Sequence, residues 1–318
     1  MKHFTSVEDV ADIESLVAIA QAYKVTPTKD KTLGMGKRVG LLFMNPSMRT
    51  RLSTQVAAAN LGLDTIVFNL NNEGWALELE DGVVMNGTKA EHIKDAAPIL
   101  GAYFDIICVR TFPSLTNREK DYSEELLQCL IRYTGVPVVS MESATLHPLQ
   151  SLADVLSISE NWKGNRKAKV VLTWAPHVKP LPQCVSNSFA QWMCAWDKVD
   201  VVVTHPEGYE LDEKYTDGAV IEHDQFKALE GADFVYAKNW SSYKEYGKIL
   251  TAGEGWMPSA KHMACTNNAR FMHCLPVRRN VEVADEVLDN PTSIVTQQAS
   301  NRVWAAQAVL SEILKEMK

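Results

Sequence analysis

Hydrophobic positions along the chain fall into two kinds of run. Short unbroken apolar stretches alternate with longer segments in which apolar residues recur every three or four positions. The stretches at 38–44 (RVGLLFM), 64–70 (DTIVFNL), 105–110 (DIICVR) and 136–141 (VPVVSM) predict buried strands. Residues 7–22 carry Val10, Ile13, Leu16, Val17 and Ile19 at helical spacing behind Ser6, which predicts one helix capped by that serine. Further helices are predicted over 49–61, 89–101 and 121–133. The alternation then repeats: helix 149–161, strand 170–174 (VVLTW), helix 183–196, strands 199–205, 233–240 and 269–276, and a closing helix 301–317. This order predicts an α/β fold of two doubly wound domains with mainly parallel sheets, residues 1–145 and 146–301.

Composition narrows the picture. At 318 residues the chain is long enough for two domains, and 46% hydrophobic with 22% charged residues excludes a disordered or collagen-like protein. The net charge of −7 argues against a nucleic-acid partner. Apolar runs stay well below the roughly 18 residues that span a bilayer, so no membrane association is expected. The N-terminus lacks an apolar signal core. The six cysteines show no Cys-x-x-Cys spacing, which predicts reduced thiols, a cytoplasmic protein and no zinc site.

Three clusters carry candidate chemistry. Ser47-Met48-Arg49-Thr50-Arg51 lies between a strand and a helix. Free N–H groups and the dipole at a helix N-terminus favour an anion, above all a phosphate. His147-Pro148-Leu149-Gln150 opens another helix, with Pro148 suited to its first turn. There His147 can donate to a carbonyl oxygen and Gln150 can accept from an amide. His273-Cys274-Leu275-Pro276-Val277-Arg278-Arg279 follows an apolar strand, and Arg110 ends another. Carboxyl ends of parallel strands are where open sheets bind ligands, so these groups are expected to converge on one cleft between the domains. No nucleotide-binding glycine motif is present. Trp174 and Trp240 read as core.

The order and spacing of SMRTR, HPLQ and HCLPVRR resemble the aspartate/ornithine carbamoyltransferase family over the whole chain. The resemblance implies carbamoyl phosphate and an amine as substrates, no cofactor or metal, a homotrimer with shared active sites, and a final helix (about 302–318) that returns to the first domain. It assigns the phosphate to Ser47, Met48, Arg49 and Thr50, the carbonyl oxygen to Thr50, Arg110 and His147, and the carbamoyl NH2 to Gln150 and the backbone carbonyls of Cys274 and Leu275. Arg302 matches a further basic position near the ligand.

Within that family the chain departs from ornithine carbamoyltransferases. Where those carry an aspartate for the α-ammonium, Tyr236-Ala237-Lys238-Asn239-Trp240 places a lysine, which would repel it. Asn72-Glu73-Gly74-Trp75, Ser140–Thr145 and Trp174-Ala175-Pro176-His177 resemble the acylornithine branch. There the matching Trp75 reaches a neighbouring subunit's phosphate site, and Glu142, His177, Lys238 and Arg278 surround the acylated amino acid. The acyl end is read at the position of Ala90, where acetyl-using members carry Glu and succinyl-using members Pro. A small neutral residue leaves room and no repelling charge for a second carboxylate. The expected reaction is carbamoylation of the δ-amine of N-succinyl-L-ornithine in arginine biosynthesis. N-acetylornithine is the alternative, and a non-catalytic relative that keeps the fold is the reading from another class.

Overall fold

The computed structural model describes residues 1–250 and 253–317. It divides into two compact units: residues 1–113, 119–149 and 302–317 form the first, 114–118 and 150–301 the second. The first unit thus runs past the expected boundary at 145 to Leu149, and residues 114–118 group with the second unit. The closing helix falls in the first unit from Arg302 onward.

In the first unit the strands are β1 (Arg38–Phe43), β2 (Asp64–Asn69), β3 (Ile106–Arg110) and β4 (Val138–Glu142), in the order β2-β1-β3-β4, all parallel. Leu41, Leu42, Ile107, Val109 and Val138 are buried on the sheet. Strand order reverses between β1 and β3, so the loops after these strands diverge to opposite faces and leave room at their carboxyl ends. The first-unit helices include α1 (Ile13–Val25), α2 (Met48–Asn60), α3 (Ile93–Tyr103) and α4 (Glu125–Tyr133).

The second unit holds β5 (Ala168–Trp174), β6 (Val199–Thr204), β7 (Val220–Glu222), β8 (Phe234–Lys238) and β9 (Arg270–Met272), in the parallel order β9-β8-β5-β6-β7. Its switch point lies between β5 and β8, at Trp174 and Lys238. Helix α5 (Pro148–Asn161) follows β4, α6 (Cys184–Ala195) links β5 to β6, and α7 (Val295–Glu316) closes the chain. The unit boundary falls inside α5 and inside α7. No described helix is long and apolar enough to cross a membrane.

Several boundaries differ from the sequence pattern for local reasons. The first helix is split: Ser6 caps only a short turn, Val7–Asp9, through a capping box, and Asp12 caps α1 by accepting from Glu14 and Ser15 N–H. The strand expected to reach residue 276 stops at Met272, and Leu275 adopts a left-handed backbone (φ 51°) that no strand continues. Helix α7 begins at Val295 rather than 301. Its first turns bury polar residues, Gln298 and Asn301, which an apolar periodicity does not register. Helix α3 starts at Ile93, where the His92 ring accepts from Lys94 N–H. The short β7 edge strand was not expected.

Helix α3 packs closely on the end of α4: a Cβ at Gly101 would lie 1.8 Å from the carbonyl oxygen of Thr134. Backbone cannot step aside as a flexible side chain can. Gly101→Ala is therefore expected to destabilise the protein by about 1–3 kcal/mol. A urea midpoint equal to that of the wild type would refute this packing.

Candidate active site

The first group of candidate residues assembles within the first unit, beside the N-terminus of α2. Ser47 is extended (φ −153°) and its Oγ accepts from Thr50 N–H at 3.4 Å. Arg51 N–H closes the first turn on the Ser47 carbonyl at 3.2 Å. The N–H groups of Met48 and Arg49 precede that turn and point outward. No acidic residue occupies the first turn, so the helix dipole is uncompensated there. Arg49 is half-buried and its guanidinium has no ion pair or hydrogen bond among the described residues.

Arg110, at the end of β3, is 8% exposed. Its Nε donates to Glu142 Oε2 at 2.8 Å, Nη2 lies 2.8 Å from the same oxygen, and Nη1 donates to the Asn45 carbonyl at 3.0 Å. Glu142 in turn lies 3.7 Å from His147 Nε2. Arg302, on α7, donates through Nη2 to Thr50 Oγ1 at 2.6 Å and lies 3.5 Å from His147 Nε2. Thr50, Arg110, Glu142, His147 and Arg302 therefore form one connected, buried cluster. Because Arg302 already occupies an acceptor position of the Thr50 hydroxyl, the hydroxyl proton is left to donate elsewhere.

The loop from β4 to His147 is held from α4. Glu124, itself left-handed (φ 51°), accepts from Ser143 Oγ at 2.6 Å and from the Thr145 N–H at 2.7 Å. Burial pushes the His147 imidazole down to about 3, with Arg302 and Arg110 adding to the effect against the opposing pull of Glu142. Burial alone would raise the Glu142 carboxyl, but its charged neighbours outweigh that and hold it below the usual range. With His147 neutral at pH 7, the arginines are the cations that do so.

A second group lies within the second unit. Gln150 and Asp154 are both buried on α5, and Gln150 Nε2 donates to Asp154 Oδ1 at 2.8 Å. Gln298 Nε2 donates to the same oxygen at 2.7 Å, and Gln298 Oε1 accepts from His273 N–H at 2.9 Å. Gln150 Oε1 is buried with no hydrogen-bond partner among the described residues. His273 Nδ1 accepts from Leu275 N–H at 3.0 Å, so its proton sits on Nε2, 3.7 Å from Glu282. Glu282 also accepts from Arg278 N–H at 2.7 Å. Arg278 Nε donates to His177 Nε2 at 3.2 Å, which leaves the His177 proton on Nδ1, donated to the Lys179 carbonyl at 2.8 Å. Lys238, at the end of β8, is 7% exposed and its ammonium makes no ion pair among the described residues. Cys274 is buried and none of the six cysteines forms a disulfide.

Two candidates stand outside these clusters. Trp75 is 62% exposed and its Nε1 donates to Glu91 at 2.9 Å. Ala90 is exposed, its N–H bonded to the Ala76 carbonyl at 3.0 Å. Both belong to a small ribbon in which Leu77–Glu78 pairs with Glu91–His92. Met48 is exposed as well. Glu142, expected against the amino-acid substrate, is paired with Arg110. Glu124, Asp154, Glu282 and Gln298 were missed by the sequence reading. One of them carried a signal: Asp154 follows Gln150 by four residues, a spacing at which side chains meet on a helix. Trp174 and Trp240 are core, linked by Trp174 Nε1 to the Trp240 carbonyl at 2.9 Å. No group of His, Cys, Asp and Glu suited to a metal ion occurs among the described residues.

Residues 2–160 match the carbamoyl-P binding domain of aspartate/ornithine carbamoyltransferases, and residues 184–313 match their Asp/Orn binding domain. The chain belongs to the aspartate/ornithine carbamoyltransferase family. It is 50% identical to an N-succinylornithine carbamoyltransferase of Bacteroides fragilis, covering 100% of both chains. An N-acetylornithine carbamoyltransferase of Xanthomonas campestris is 36% identical over 100% of this chain and 99% of that one. Among solved structures, a glutamate-to-alanine variant of N-acetyl-L-ornithine transcarbamylase complexed with carbamyl phosphate and N-succinyl-L-norvaline is similar at a TM-score of 0.91 and 35% identity. It covers 98% of this chain and 100% of its own. The carbamoyltransferase fold thus accounts for both units.

The buried imidazole sets a pH dependence. In the unfolded chain His147 titrates near 6.5, in the folded chain near 3. Between these values the unfolded state binds the extra proton, so stability falls as pH drops from 6.5 towards 3, by up to about 1.4 kcal/mol per pH unit. His147→Asn removes that term. The stability gap between wild type and variant should shrink between pH 7 and pH 4.5 in urea titrations; a gap independent of pH would refute a neutral, buried His147.

Proposed function

We propose that the protein transfers the carbamoyl group of carbamoyl phosphate to the δ-amine of N-succinyl-L-ornithine, giving N-succinyl-L-citrulline and phosphate in arginine biosynthesis. The observation that carries this reading is the buried cluster of Thr50, Arg110, Glu142, His147 and Arg302 beside an uncompensated helix N-terminus. It is an anion site with hydrogen-bond donors to spare, on a chain half identical to N-succinylornithine carbamoyltransferases.

The α2 N–H groups of Met48 and Arg49, the Ser47 cap and the Arg49 guanidinium hold the phosphate. Thr50, Arg110 and His147 donate to the carbonyl oxygen. Gln150 Oε1 and the Cys274 and Leu275 carbonyls accept from the carbamoyl NH2. Attack by the δ-amine forms the new C–N bond and puts negative charge on the carbonyl oxygen, which the fixed donors stabilise. The intermediate collapses by breaking the C–O bond to phosphate, which leaves with the proton lost by the amine. Glu142 stands beside the reacting amine, and its ion pair with Arg110 keeps both groups charged and oriented. Lys238 is a buried cation whose missing counter-charge a substrate carboxylate supplies. His177 and Arg278 complete that binding.

The acyl preference rests on Ala90. Solved complexes of alanine, proline and valine replacements of one glutamate in N-acetyl-L-ornithine transcarbamylase contain N-succinyl-L-norvaline. These complexes support a reading in which removing a carboxylate admits a succinyl group. Across ornithine, N-acetylornithine, N-succinylornithine and putrescine, kcat/KM should be highest for the succinyl compound. Ala90→Glu should lower the succinyl-to-acetyl ratio at least tenfold. A wild-type preference for N-acetylornithine, or a ratio unmoved by Ala90→Glu, would refute the charge argument.

We infer also a cytoplasmic homotrimer with Trp75 acting across the subunit boundary. Helix α2 exposes Met48, Leu52 and Val56 on successive turns, and edge strand β2 exposes Ile66, an apolar stripe suited to self-association. Arg49→Ala alone should lower kcat/KM by at least about a hundredfold, because a charged donor to the anion is lost. Mixed Arg49→Ala and Trp75→Ala subunits should regain activity, since some sites then carry neither lesion. A fully active monomer in sedimentation would rule this assembly out.

A further inference from the structure

The buried polar network on α5 contains a group to which no role has been given. Asp154 is fully buried, and one of its oxygens, Oδ1, accepts from both Gln150 Nε2 at 2.8 Å and Gln298 Nε2 at 2.7 Å. A glutamine amide can face a neighbour by its oxygen or by its NH2, and only its surroundings decide which. An oxygen that accepts from two amides holds each with its NH2 group towards it, and Asp154 Oδ1 does so for both glutamines. For Gln298 the result is visible: its oxygen faces away and accepts from His273 N–H at 2.9 Å, at the start of the Cys274-Leu275 segment. For Gln150 the oxygen is left buried and without a hydrogen-bond partner among the described residues.

We propose that Asp154 is a positioning residue that sets the polarity of the carbamoyl NH2 site by fixing Gln150 with its oxygen outward. The proposal rests on the reading that Gln150 Oε1 accepts from that NH2. Were the Gln150 amide free to rotate, it would present donors to a donor for part of the time. Asp154 also orients, through Gln298, the backbone segment that supplies the other two acceptors. One buried carboxylate is thus tied both to Gln150 and, through Gln298, to the backbone that leads into Cys274 and Leu275.

The test compares two ligands of one shape. Acetyl phosphate carries a methyl group where carbamoyl phosphate carries NH2, so only the second uses the acceptors. Dissociation constants for carbamoyl phosphate, acetyl phosphate and inorganic phosphate are measured on the full-length protein. Wild type should favour carbamoyl over acetyl phosphate. Asp154→Leu should reduce that ratio at least tenfold while phosphate binding stays within about twofold. Asp154→Asn keeps an accepting oxygen and should retain the ratio within about threefold. If Asp154→Leu does not fold, Asp154→Ser, which admits water, should show the same loss. A ratio unchanged in a folded Leu or Ser variant overturns the proposal. So does a parallel loss of phosphate binding, which would mark a general structural role. A wild type that does not distinguish the two acyl phosphates overturns instead the reading that Gln150 meets the carbamoyl NH2.

Discussion

The first unit buries two guanidinium groups, Arg110 and Arg302, around one carboxylate, Glu142, and a neutral imidazole. Taking cations out of water is costly unless charge and hydrogen bonds compensate, and here they do so incompletely. The surplus is positive, and it adjoins a helix terminus that is also positive. The groups are held in place by one another and by the loops around them: Arg110 by Glu142 and the Asn45 carbonyl, Arg302 by Thr50. Glu124 clamps the loop that carries His147, Ser47 caps α2, and the reversal of strand order leaves the strand ends open. Much of the architecture can be understood as the scaffold of a surplus positive charge.

The second unit solves the complementary problem with neutral groups. In the proposed reading its acceptors for the carbamoyl NH2 are amide and carbonyl oxygens, whose direction matters more than their charge. Direction is supplied by carboxylates one step removed: Asp154 behind two glutamines, and Glu282 behind His273 and the Arg278 backbone. His273, held by Glu282, binds the Leu275 N–H and so supports the left-handed backbone of that residue, a conformation that costs a leucine energy. Lys238 stands apart from them, a buried cation that makes no ion pair among the described residues.

Legibility in the sequence followed the physics of each feature. Strands buried on both faces announce themselves as apolar runs, and all four strands of the first sheet lay within a residue or two of their expected positions, although β2, expected to be buried, is a part-exposed edge strand. The start of α2 was legible because a polar string led by Ser47, which caps the helix, follows an apolar strand there. What stayed hidden was polarity turned inward. Gln298 and Asn301 are buried polar residues on α7, and hydrophobic periodicity is blind to them, so the helix was begun six residues late. The break of β9 at Met272 was likewise invisible, since the backbone angle of Leu275 depends on a hydrogen bond to His273 and not on any local propensity.

The ribbon that carries Trp75 and Ala90 bonds largely within itself: Trp75 to Glu91, Lys89 to Glu78, Ala90 to Ala76. It shares no strand pairing with the sheet that ends in Arg110. A change at Ala90 therefore alters neither the register of that sheet nor the ion pairs of the buried cluster. Under the proposed function, bond making and side-chain discrimination are built on separable pieces of chain. Such a division lets a lineage drift from one acyl group to another by point substitution while the machinery of transfer stays intact, and it makes this ribbon the natural place to begin diversifying a library.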